Sequence, residues 1–206
     1  YQESLLEADK LKEELLEYNR MHYAKFIFFY YNALYMNYAK IDMNRAIEAL
    51  DSLEREMKKL RNAYYEQFIL LNKSTLLFEL NRFDEAIRML ARLYINDSYQ
   101  KASDSFKLKI NTAELIMQWE SGDMGVFKKR LKQVRKTFEI SLSKKENIYD
   151  KIFLDIIEEM SKEGWEKNHK LIKKAKQFIS TLEKNEAEDT GLLNYARWLK
   201  SKFSII

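Results

Sequence analysis

The sequence predicts an all-α chain: a solenoid of about four helical hairpins with one flanking helix at each end. Three observations carry this. The 206 residues include no proline and four glycines, so the punctuation that strands and tight turns need is nearly missing. Apolar residues recur at helical spacing almost from end to end. The pattern also returns about every forty residues, the sign of stacked supersecondary units that cannot bury their apolar faces alone.

The elements follow in order. Helix 3–18 carries Leu5, Leu6, Leu11, Leu15 and Leu16 with no hairpin mate before it. It reads as an end cap or as the second helix of a repeat lying upstream. The four hairpins are expected at 22–60, 62–95, 103–141 and 145–184. Their component helices are 22–40 and 43–60, 62–80 and 83–95, 103–120 and 124–141, then 145–161 and 165–184. Their turns are "IDMN", "NRFDE", "ESGDM" and "SKEGW". The longest break is "INDSYQKASDS" (95–105). After "EAEDTG" a last helix, 188–203, holds Leu192, Leu193, Tyr195, Ala196, Trp198 and Leu199, which suit a cap or an onward superhelix. Residues 1–206 are expected to form one domain, and an unpaired apolar face on either flanking helix would favour a homodimer.

A shift of forty places Phe28 on Phe68, Asn32 on Asn72, Met36 on Leu76, Met43 on Phe83, Ala46 on Ala86, Leu50 on Leu90 and Leu53 on Leu93. A further forty-one puts Trp119 on Phe78, Met124 on Phe83, Phe127 on Ala86 and Leu131 on Leu90. Forty-one more reaches Met160, Trp165, Asn168, Ile172 and Ala175. The first two units match well, the third moderately and the fourth weakly. Met43, Phe83, Met124 and Trp165 should plug the start of each second helix, and Ala46 and Ala86 should let paired helices approach closely.

"LNRFDEAIRMLARL" (80–93) resembles the tetratricopeptide repeat, whose turn and second helix typically read like G-D-Y-D-E-A-I. "KIDMNRAIEALDSL" is a looser copy, and "SGDMGVFKKRL" keeps the G-D turn but puts Phe127 where the family prefers alanine. The likeness covers 22–141 and extends faintly over 145–184. The spacing of 40–41 exceeds the family's thirty-four, suits HEAT-like pairs as well, and lacks the usual terminal proline. The resemblance implies a right-handed superhelix whose concave side holds a partner peptide or helix.

In "YAKFIFFYYNALYMNYAK" (23–40), Ile27, Tyr31, Leu34, Tyr35 and Tyr38 share one side of a helix, while Phe29, Asn32 and Met36 lie on another arc. The resemblance puts the second arc on the concave groove. By the same register Ile69, Asn72 and Leu76 are the groove residues of the second repeat. Asn32 and Asn72 are the sharpest candidates for partner binding, since an amide both donates to and accepts from an extended backbone. Ala113 stands in register in the third repeat, so the ladder stops there. An ordinary solvated or turn-facing role for the asparagines, and burial of Phe29 and Met36 under the N-terminal helix, are the alternatives.

Composition excludes several classes. Hydrophobic residues at 46% and charged residues at 33% suit a soluble, foldable chain. The absence of cysteine excludes disulfides, thiol catalysis and cysteine-based zinc sites. Only fourteen residues separate Lys25 from Lys40, too few for a bilayer span of about twenty. No signal peptide is visible, which favours the cytoplasm for this segment. The chain begins at Tyr1 without methionine and stops on "SKFSII", so both ends read as cuts, and a leader or membrane anchor outside them stays open.

Charge is uneven: residues 1–123 carry 17 basic and 20 acidic side chains, and residues 124–184 carry 16 and 9, a balance of +7. "KKRLKQVRK" (128–136) and "KLIKKAK" (170–176) hold most of the excess. The expected reading is the solvated side of second helices, because Phe127, Leu131, Val134 and Phe138 form a buried stripe. Nucleic acid or an anionic membrane surface is the minor alternative. Glu166 and His169 stand at i, i+3, but His22 is preceded by Asn19 where a matching motif needs glutamate, so no metal site is expected. No phosphate-binding or catalytic motif occurs, and Glu158/Glu159 diverge on a helix. The expectation is a scaffold without catalytic residues or cofactor; the alternative is a regulatory or sensor fragment coupled to a DNA-binding or membrane-anchored part.

Overall fold

The computed structural model describes residues 20–60, 65–184 and 192–203, together with Glu3, Leu6, Glu7 and Lys10. The described residues are helical throughout, without strands: eleven α-helices and two short 3-10 turns. The leucines expected on helix 3–18, apart from exposed Leu6, lie outside the described residues, as do the first residues of the expected helices at 62 and 188 and the side chain of His22.

The chain divides into two compact units, Tyr1–Gln100 and Lys101–Ile206. The division falls inside the long polar break at 95–105.

In the first unit α1 (Arg20–Ile41) and α2 (Met43–Lys59) form a hairpin, as do α3 (Glu66–Glu79) and α4 (Phe83–Tyr94); α5 (Asp97–Gln100) closes the unit. The single residue between α1 and α2, Asp42, is extended and its carboxylate accepts the backbone N–H groups of Asn44 and Arg45. Between α3 and α4 the chain turns through Asn81, whose φ of +58° is left-handed. The Arg82 N–H reaches back to the Leu77 carbonyl at 2.8 Å, closing the helix end in the way glycine usually allows. Ala46 and Ala86 are fully buried at the crossings, and the Ser74 hydroxyl donates to the Ala86 carbonyl.

First helix meets first helix through aromatic contacts. Phe28 stacks on Tyr65 at 4.1 Å and meets Phe68 edge-on, and Tyr35 also meets Phe68 edge-on. Second helix meets second helix through Arg92, which donates to Glu54 at 2.7 Å.

In the second unit α6 (Asp104–Ser121) is the central helix, buried at nearly every position from Leu108 to Gln118. Ser103 caps its start and Gly122, at φ +86°, ends it. α7 (Met124–Thr137) returns along α6, starting from the Asp123 cap and burying Phe127, Leu131 and Val134. The helix expected over 124–141 breaks at Phe138 and resumes as α8 (Glu139–Leu142). A 3-10 turn, Lys145–Asn147, then leads into α9 (Ile148–Met160).

The fourth hairpin also starts its second helix later than the register indicates. Gly164 is left-handed, Trp165–Lys167 forms a 3-10 turn, and α10 runs His169–Lys184. Asn168, aligned with Phe127 by the repeat, is the cap instead: its carbonyl oxygen accepts the Lys170 and Leu171 N–H groups. The buried residues of α10 are therefore Leu171, Ala175, Phe178, Ile179 and Leu182.

The last helix, α11 (Tyr195–Phe203), is shorter than expected and its apolar face is covered. Tyr195 stacks on Phe153 at 4.2 Å, and Trp198 meets Phe153 and Trp119 edge-on. Trp198 Nε1 donates to Glu120, and the Tyr195 hydroxyl donates to buried Asp150. This face is satisfied within its own unit, so it is not the open apolar surface from which dimerisation was expected.

Candidate partner-binding surface

The six residues expected to bind a partner separate into two groups. Phe29 and Met36 on α1 are 50% and 59% exposed, whereas Ile69 and Leu76 on α3 are 1% and 6% exposed. Ile69 and Leu76 pack into one core cluster with Ile27, Ala46, Leu50, Leu53 and Met57 of the first hairpin. They hold the second hairpin against the first and line no surface, which corrects their expected place in a groove.

Asn72 is likewise engaged. Its Nδ2 donates to the Phe68 carbonyl at 2.7 Å, and its Oδ1 accepts the Tyr35 hydroxyl at 2.6 Å. Burial pushes the Tyr35 phenol up from its ordinary value, so it donates throughout the physiological range. Both ends of the Asn72 amide are used: Nδ2 is held within α3 and Oδ1 ties α3 to α1. In the second unit Asn111 does the same between α6 and α7, donating to the Lys107 carbonyl and accepting from Arg130.

Asn32 differs. Its amide makes one weak contact, to the Met36 sulfur at 3.8 Å, and its Oδ1 accepts nothing among the described residues. The cation of Lys25 lies 5.8 Å from the centre of the Phe29 ring. Lys25, Phe29, Asn32 and Met36 are spaced 4, 3 and 4 residues apart, the spacing of a seam that receives another helix. The outer stripe of α1 is thus apolar at two positions, hydrogen-bonding at a third and cationic at one end. Sequence reasoning missed Lys25, although its i, i+4 relation to Phe29 was there to be read.

Elsewhere the polar groups tie the fold together. Glu54 joins α2, α3 and α4: it accepts from Lys58, Lys73 and Arg92 at 2.8, 3.1 and 2.7 Å. Burial alone would raise its carboxyl, but these donors prevail and hold it at about 2. Three cations from three helices surround one carboxylate, so the displaced pKa marks a structural tie. In the second unit Arg130 donates to Glu114, and Asp150 faces Lys109 as well as Tyr195. Among the described residues no three histidine, aspartate or glutamate side chains converge to hold a metal ion; Glu166 and His169 are both exposed.

The cations of α7 follow the expected geometry. Lys128, Lys129, Lys132 and Lys136 occupy one exposed arc, without acidic partners among the described residues. Arg135, by contrast, is answered by Asp155 and Glu158 at 2.8 Å each. Beside this arc lies a cleft of about 530 Å3 lined by Arg135, Lys136, Glu139, Leu142, Ser143 and Lys151.

Compared with family models, curated proteins and solved structures, the chain matches none of them.

Proposed function

We propose that the chain is a non-enzymatic docking module, a tetratricopeptide-like run of helical hairpins, and that a helix of a partner protein seats on the Phe29–Asn32–Met36 stripe of α1. One observation carries the reading. The residues forty positions on, Ile69, Asn72 and Leu76, are those by which the second hairpin docks onto the first. On α1 Phe29 and Met36 are exposed, Asn32 between them is partly exposed, and the Asn32 side-chain oxygen accepts nothing among the described residues. The stripe is a repeat seam with one side filled by nothing described.

This reading moves the site from the concave groove to the end of the hairpin array. It also describes the ligand. The 4-3-4 spacing suits a helix rather than an extended strand. By analogy with Tyr35, the helix would offer a hydroxyl or amide donor to Asn32, between apolar side chains that cover Phe29 and Met36. Burying the exposed halves of these two residues would contribute about 1 kcal/mol each.

Affinity capture from the native source, with the unaltered chain and a Phe29→Glu/Met36→Glu variant, tests it. A protein retained by the unaltered chain and lost from the folded variant is the expected result. Equal capture by both would place the binding surface elsewhere.

A further inference from the structure

The connector between α7 and α9 combines exposed apolar side chains with free cations. Ile140 and Ile148 are 80% and 43% exposed. At helical spacing each lies away from the buried stripe of its neighbouring helix, Phe127–Leu131–Val134–Phe138 for the first and Phe153–Ile157–Met160 for the second. Their chain neighbours are held together: the buried Asn147 amide donates to the Ser141 carbonyl at 2.8 Å and to the Ser105 hydroxyl at 3.1 Å. The two isoleucines therefore flank a short connector whose ends are pinned together, here called the tip.

Cations surround this tip. Lys136 and Lys151 line the adjoining cleft, and Lys144 and Lys145 are exposed on the connector itself. None of the four has an acidic partner among the described residues. The acids nearby are fewer: Glu139 borders the cleft, Glu146 accepts the Ser105 hydroxyl, and Asp150 is buried against Lys109 and Tyr195. The lysine arc of α7 extends the positive surface along the unit.

We propose that this tip is a binding surface for an anionic lipid bilayer, with Ile140 and Ile148 entering the interface and Lys136, Lys144, Lys145 and Lys151 facing the phosphate groups. Exposed aliphatic side chains within a ring of lysines complement a surface that is apolar below and anionic above. A single-stranded nucleic acid would instead call for exposed aromatic rings among the cations, and the connector exposes isoleucines.

The test is co-sedimentation of the chain with phosphatidylcholine vesicles, with and without phosphatidylserine, at low and raised salt. Binding is expected only with phosphatidylserine and should weaken as salt rises. Lys136→Glu/Lys151→Glu and Ile140→Ser/Ile148→Ser should each lower it by about fivefold or more. All four side chains are solvent-facing, and circular dichroism of the variants checks that the fold is kept. Failure of the unaltered chain to bind phosphatidylserine vesicles at low salt would overturn the proposal. So would a loss confined to the lysine variant, which would mean a polyanion contact without membrane insertion.

Discussion

At the scale of single residues, Glu54 ties three helices electrostatically. Its carboxyl is held at about 2 against an ordinary 4.5, a difference that favours the folded state at neutral pH. A depressed carboxyl stabilises above its unfolded pKa, so this contribution is fully present above about 4.5 and is lost as the pH falls towards 2. Urea unfolding as a function of pH should show that decline, and Glu54→Gln should flatten the part of the slope between those limits. An unchanged slope would remove the claim. A second residue-scale test concerns the turns. Gly122 has φ +86° and open space where a Cβ would sit, so Gly122→Ala should cost about 1 kcal/mol from backbone strain alone. Asn81 occupies the equivalent turn of the second hairpin at φ +58°, and Asn81→Gly should alter stability by only a few tenths of a kcal/mol. Chemical denaturation of the two variants separates these outcomes. The sequence could be read well at this scale where a signal is local, as in the turns "IDMN" and "ESGDM", where Asp42 and Asp123 cap the helices that follow. It misled at Asn168, because matching by register aligned it with a helical residue and hid its capping role.

At the scale of elements, α1 has an inner face that holds the unit together and an outer face that does not. Tyr35→Phe removes the hydroxyl that Asn72 accepts at 2.6 Å and should cost about 1 kcal/mol in stability. Phe29→Leu, on the half-exposed side, keeps most of the buried apolar area and should change stability by less than about 0.5 kcal/mol. Thermal unfolding of the two variants checks the contrast; equal losses would mean that the outer face is structural too. The sequence distinguished these arcs by periodicity, because a 3.6-residue period separates Tyr31 and Tyr35 from Phe29 and Met36. It could not say which arc has a neighbour. Ile69 and Leu76 repeat Phe29 and Met36 by register yet are buried, since a preceding hairpin lies against them. Equivalent positions in a tandem array differ in exposure only through what precedes them, and that is a property of packing rather than of pattern.

At the scale of the whole molecule the chain forms two compact units, and the forty-residue rhythm of the sequence runs across the division between them. In the second unit α11 covers Phe153 and Trp119 with Tyr195 and Trp198. In the first unit Phe29 and Met36 on α1 are 50% and 59% exposed, and that exposure underlies the proposed function. The most direct test is photo-crosslinking in the native source, with a photoreactive amino acid at position 36 and a control at exposed Ile95. The account predicts a covalent adduct with another polypeptide from position 36 and none from position 95. Adducts of the same polypeptide from both positions, or none from position 36, would contradict it.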